Sequence, residues 1–207
     1  MLVAAANDFR QLGIAGAVAI SGAVSVAPGA DVRVVNNDTK ATVGDQVIMN
    51  ASRDVSVTAK ASESMVSVAA GIAGSGTIAV GGAVSVTVLN NHTHASLGNI
   101  AGTAANGSKI SAGGNIFVNA TDDTKETAVV GAAGVGIGGA GIGASVSVLV
   151  VNKDTKAWIG DNATVDAFAN GPNSLSGIYT DQNIATGVLT AAVPRAPRHG
   201  AAGSPAS

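Results

Sequence analysis

The segment Asn36-Asn37-Asp38-Thr39-Lys40-Ala41-Thr42-Val43-Gly44-Asp45 returns as Asn152-Lys153-Asp154-Thr155-Lys156-Ala157-Trp158-Ile159-Gly160-Asp161. A weaker copy, Asn90-Asn91-His92-Thr93-His94-Ala95-Ser96-Leu97-Gly98-Asn99, lies between them. Residues 36–51 and 152–167 align without a gap, with 8 of 16 positions identical. This recurrence limits the fold more than any other feature. A short unit cannot bury its own apolar face, so its copies must stack on one another.

Each copy follows a Gly/Ala/Val/Ser stretch: Gly22-Ala23-Val24-Ser25-Val26, Gly82-Ala83-Val84-Ser85-Val86 and Gly143-Ala144-Ser145-Val146-Ser147-Val148. After the first two copies comes a third element, Asp54-Val55-Ser56-Val57-Thr58-Ala59 and Asn115-Ile116-Phe117-Val118-Asn119-Ala120. Val55, Val57 and Ala59 alternate with Ser56 and Thr58, and Ala41 and Val43 flank Thr42. Period-2 alternation of this kind predicts strands with an apolar inner face and a polar outer one. Gly44 and Gly98 are 54 residues apart and Gly98 and Gly160 are 62 apart. Three strand elements per unit predict three coils of roughly 18–21 residues each, at the short end of known repeat periods.

The residues that recur in register are Asn36, Asp38, Thr39, Gly44 and Asp45, then Asn90, Thr93 and Gly98, then Asn152, Asp154, Thr155, Gly160 and Asp161. They are read as corners between strands, because Asn and Asp bond their own backbone and Gly accepts unusual dihedrals. The same reading gives Trp158 an outward position, since its counterparts Thr42 and Ser96 are polar.

Composition removes several classes of function. With a formal net charge of −2 and no basic stripe, the chain has no field for nucleic acid, and no such partner is expected. There are no cysteines, hence no disulfides, thiolate metal sites or thiol nucleophiles. Aromatic residues are 2% of the chain while 28 residues are Gly, so any core is thin. The uncharged runs 12–30, 64–91 and 127–152 are long enough to suggest membrane helices. Their residue types argue otherwise: 7 of the 13 residues from Gly131 to Gly143 are Gly. Each costs about 1 kcal/mol against Ala in a helix interior. Basic clusters and aromatic belts are also missing from their flanks. The Gly-rich runs are expected instead to form a flat side of the solenoid where neighbouring coils or a second chain approach closely.

The succession of Val-Ser-Val, Asn-Asp-Thr-Lys-Ala-x-Ile/Val-Gly-Asp and Asp-Val-x-Val-x-Ala resembles the repeats of filamentous-haemagglutinin-like adhesins, most of all leukotoxin-type filamentous adhesins and related autotransporter passengers. The likeness covers about residues 14 to 170. It implies an all-β, right-handed parallel β-helix (β-solenoid). It also implies secretion to the outer surface of a Gram-negative bacterium by two-partner secretion or autotransport. The implied role is attachment without catalysis, to an unspecified receptor or glycan on a host or neighbouring cell. Neither a secretion domain nor a membrane barrel is legible, so a fragment or a truncated frame is expected. Residues 1–13 then form a lead-in, 14–170 about three degenerate units, 171–193 a last coil and 194–207 a disordered tail.

Candidate chemistry is sparse. A ladder of Asp38, Asp45, Asp154 and Asp161 invites a hard cation, but corner chemistry is the stronger reading, since the middle copy has His92 and Asn99 at these positions. His92 and His94 share one face of a strand and replace Asp38 and Lys40 of the first copy, which reads as solvent-facing variation. Lys40 and Lys156 read as outward charges that discourage lateral aggregation. No metal, cofactor or catalytic set is assigned. The alternative enzyme class is a β-helix polysaccharide lyase or hydrolase. Such an enzyme needs carboxylates amid aromatic or basic subsites, and this chain has one Trp and one Tyr. Glycan-acceptor motifs fall at Asn37, Asn50, Asn91, Asn106, Asn119 and Asn162. An uncapped first coil over residues 14–26 is expected to favour end-to-end self-association.

Overall fold

The computed structural model describes residues 1–98, 107–161 and 163–168. Among them the chain is all-β: β1 (Leu2–Ser21), β2 (Val24–Val43), β3 (Ile48–Ala51), β4 (Val55–Ser75), β5 (Ile78–Leu97), β6 (Lys109–Ala112), β7 (Ile116–Gly136), β8 (Gly141–Ile159) and β9 (Thr164–Ala167). No helix among the described residues is long and apolar enough to cross a membrane. The expected last coil over 171–193 and tail over 194–207 lie outside the described residues, as do Asn99, Asn106 and Asn162.

Three parallel sheets, β1-β4-β7, β2-β5-β8 and β3-β6-β9, stack into a β-solenoid. Leu2 pairs with Ser56 and Val24 with Ile78, so each sequence unit is one complete coil. This corrects the expected three short coils per unit. Val24-Ser25-Val26 and the Asn-Asp-Thr motif belong to one uninterrupted strand, β2. Likewise Val55-Ser56-Val57 runs on into the Gly/Ala stretch of β4. The presumed corner at Asn36 is absent because stacked Asn side chains satisfy one another in mid-strand. Asn90 Nδ2 donates to Asn36 Oδ1 at 2.7 Å and Asn152 Nδ2 to Asn90 Oδ1 at 2.8 Å.

Each coil is therefore a long, narrow loop. Two strands of about 65 Å, at roughly 3.3 Å per residue, lie face to face. They are joined at one end by a short turn and closed at the other by a four-residue strand. At the closed end the interior is wide and apolar, with Val43, Met49, Val55, Val57, Leu97 and Ile110 in a single cluster. Here Val55, Val57 and Ala59 enter the apolar cluster as predicted, while the alternating Ser56 and Thr58 are buried as well and hydrogen-bond each other. Toward the turn the two sheets converge until only small residues fit between them. A Cβ on Gly71 would lie 2.5 Å from the Ala27 carbonyl oxygen and 2.8 Å from the Gly82 carbonyl carbon. The close approach at the Gly-rich runs is thus between the two long facing sheets of the same solenoid, in place of the expected approach of neighbouring coils or a second chain.

Convergence inverts the pattern in this half of the molecule. Ser25, Ser85 and Ala27 face inward, while Val24, Val26, Val32, Val34, Val84, Val146 and Val148 face outward. β-branched side chains suit a strand surface but have no room in the narrow interior. On the opposite sheet Leu12, Ile14, Val18 and Ile20 form a second exposed apolar surface with Ile72, Val129 and Val135.

Candidate functional site

Between the wide apolar end and the narrow turn end the interior is largely polar, with a small apolar layer of Val35, Met65 and Leu89 set among the polar groups. Arg33 pairs with Asp31 at 3.1 Å and donates to the Val66 carbonyl, while Ser67 donates to Asp31 at 2.5 Å and meets Ser85 at 2.7 Å. Beyond the apolar layer, toward the wide end, Thr124 donates to Glu63 at 2.8 Å, Asn37 donates to Glu63 at 3.4 Å, and Lys153 pairs with Asp122 at 2.6 Å. Burial pushes the Glu63 carboxyl above the ordinary range; the Thr124 hydrogen bond opposes this and the Asp122 charge adds to it. These groups tie the two long sheets together, since buried polar atoms must find partners.

The outer face of the β2-β5-β8 sheet carries the recurring motif as rows. Beyond the Asn36–Asn90–Asn152 ladder come Asp38–His92–Asp154, then Lys40–His94–Lys156, then Thr42–Ser96–Trp158. Alternation places all of these on one face, while Thr39, Thr93 and Thr155 are the intervening inward residues. Trp158 stands outward in register with Thr42 and Ser96, half-buried against His94, with ring centroids 5.3 Å apart at 73°. Of the predicted corner residues, Gly44, Asp45, Gly98, Gly160 and Asp161 do lie where β2, β5 and β8 end. Gly98 has φ of 86°, a left-handed geometry that costs glycine little. The remaining predicted corners, the Asn and Thr positions with Asp38 and Asp154, lie within strands.

Asp154 is the centre of the outer cluster. Its Oδ2 is 3.1 Å from His94 Nε2 and 3.8 Å from His92 Nδ1, and Lys156 reaches its Oδ1 at 2.8 Å. Hydrogen bonding from Lys156, and then from His94, holds the Asp154 carboxyl below the ordinary range against its partial desolvation. An open cleft of about 480 Å³ runs alongside, lined by Lys40, Thr42, Asp45, His94, Lys156 and Trp158 among others. Cationic, imidazole and indole groups in one cleft can hold an anionic or polar ligand, or a metal ion through the imidazoles.

In the sequence alone, His92 and His94 read as surface variation, whereas the structure brings them to Asp154. The signal was available: two His at positions i and i+2 of an alternating strand, with Asp154 aligned to His92 by the repeat. Glu63, Asp122 and Lys153 gave no such signal, because only the pairing of three coils brings them together. Among the glycan-acceptor motifs, Asn37 and Asn91 turn into the interior, whereas Asn50 and Asn119 are exposed.

Fold and surface together define a parallel β-solenoid whose outer faces combine apolar rows with an ionic and imidazole-bearing strip. No protein-family model matches the chain, and neither the curated proteins nor the solved structures compared with it give a match.

Proposed function

We propose that this chain is a structural and adhesive segment of a large secreted surface protein of a Gram-negative bacterium, attaching cells to a receptor or glycan on other cells without catalysis. The observation that carries this reading is repetition displayed outward. Three coils in register repeat like residues in rows along the outer face of the β2-β5-β8 sheet, so weak contacts are multiplied along the stack. Apolar residues form several of those rows, and contiguous exposed apolar surface is the mark of an interaction site. The β1, β2 and β3 edge and the β7, β8 and β9 edge are both parallel strands with a free ladder side among the described residues. Such edges are templates for adding a further coil, and hence for end-to-end growth.

Two measurements test the proposal. Sedimentation velocity from micromolar to near-millimolar chain is expected to show concentration-dependent, end-to-end association rather than a constant monomer. Beads coated with the chain are expected to bind cultured epithelial or bacterial cells better than beads coated with an inert protein of similar charge. Equal retention of both bead types would overturn the adhesive reading, and a monomer throughout would overturn the end-to-end one.

A further inference from the structure

We propose that His92, His94 and Asp154 form a binding site for a borderline transition-metal ion, with zinc the natural occupant, that clasps the second coil to the third. Their donor atoms all lie within 4.8 Å of one another. In a tetrahedral zinc site with bonds of about 2.0–2.2 Å, ligand atoms stand roughly 3.3 Å apart. The His94 Nε2 to Asp154 Oδ2 distance of 3.1 Å already matches, and the 3.8 Å from His92 Nδ1 needs only a small side-chain adjustment.

The frame is preorganised. His92 and Asp154 are direct partners across the β5–β8 ladder, and His94 lies two residues further along the same face. Backbone hydrogen bonds on both sides of β5 fix these spacings, so binding orders only side chains. The two imidazole rings meet edge to face, with centroids 6.1 Å apart at 75°. Lys156 spans the carboxylate, 2.8 Å from Oδ1 and 3.0 Å from Oδ2, so a metal at Oδ2 displaces the second of these contacts while the flexible ammonium keeps Oδ1 and orients Asp154 from behind. Two nitrogens and one oxygen select zinc, nickel or copper over calcium and magnesium, which prefer all-oxygen shells. The His92 side chain is 51% exposed, so the remaining coordination position opens to solvent. In the first coil Asp38 and Lys40 occupy the two imidazole positions, so among the described residues the site exists only between coils two and three.

Zinc titrated into the full chain is the direct test, because Trp158 packs against His94 and reports on it. Saturable binding is expected, with a change in Trp158 emission and a rise of several degrees in the thermal midpoint at a hundredfold excess over Kd. Copper is expected to bind more tightly and to quench the same emission. His92→Gln, His94→Gln and Asp154→Asn should each weaken zinc at least tenfold, whereas Asp123→Asn, exposed on the other long sheet, should leave it unchanged. The paired change His92→Asp with His94→Lys places the first coil's own residues in the second, so the fold is retained and zinc binding is lost. Absence of saturable zinc binding below millimolar concentration would overturn the proposal. So would equal affinity in the paired variant, or binding that leaves Trp158 emission unaltered.

Discussion

Gly81 and Gly82 are neighbours on β5 that face opposite ways, and an alanine placed at each should have opposite effects. At Gly81 the new methyl enters the gap between the long sheets. It would come 2.7 Å from the Gly71 carbonyl oxygen and 2.8 Å from the Ala133 carbonyl carbon, with the Ala133 oxygen nearer still. These are backbone atoms of β4 and β7, which cannot rotate away. Relief requires β5 to withdraw by about 0.6 Å or more, and a gap of that size forfeits roughly a quarter to a half of each dispersion contact it opens. Ala73, Ala79 and Ala83, all fully buried in this layer, would lose contacts together. Overpacking costs typically 1–3 kcal/mol, and a clash against two strands falls at about 3 kcal/mol. At Gly82 a Cβ meets nothing within 4 Å, and its partners across the ladder are Pro28 and Ala144. Neither glycine has positive φ, so Gly82→Ala should stabilise by about 0.4–1 kcal/mol through the unfolded chain. Thermal unfolding followed by circular dichroism should then separate the two variants by roughly 6–15 °C, at about 2–4 °C per kcal/mol for a chain of this size. Equal midpoints would refute the interleaved-sheet interior.

Val57→Thr, at the wide end where the side chain is fully buried, should cost about 1–3 kcal/mol in urea unfolding. Val86→Thr, on the outer face, should stay within about 0.5 kcal/mol. Trp158→Thr, which installs the first coil's residue, should cost less than about 1.5 kcal/mol, and acrylamide should quench native Trp158 emission readily. Because burial raises the Glu63 carboxyl, the folded chain holds that proton more tightly than the unfolded chain. Its contribution to stability is thus full below the ordinary value of 4.5 and is lost as pH rises through the folded value. Glu63→Gln should remove this fall from the pH dependence of the denaturation midpoint and leave the variant the more stable near neutrality. A wild-type profile parallel to that of the variant would refute the assignment.

The polar middle of the solenoid explains why the two sheets hold a fixed register without a continuous apolar core. Arg33 and Asp31 on β2 engage β4 through Val66 and Ser67, and Glu63 on β4 is held by Asn37 of β2 and Thr124 of β7. A one-residue slip of either sheet would turn these groups to solvent and carry the outer valines into a gap that has no room for them. Buried hydrogen bonding and steric exclusion therefore select the same arrangement.

Several features follow from the residues alone. The repeat set the register, so that Asn36, Asn90 and Asn152 align in the chain and stack in space. Period-2 alternation made the elements strands, and the alignment of Trp158 with Thr42 and Ser96 put its ring outside. The length of a coil was not legible, because Asn36-Asn37 reads as a corner until the neighbouring coil supplies the partner that keeps it extended. Nor could alternation say which face is inside. It sorts residues into two sets, and the set that is buried depends on how far away the opposing sheet lies. Where the sheets are held apart by β3, β6 and β9, valine goes in; where they meet at Gly71 and Gly81, valine goes out. The meeting of Asp154 with His92 and His94 likewise waits on pairing between coils, since Asp154 is 60 positions or more from either histidine in the chain and their neighbour only across a ladder.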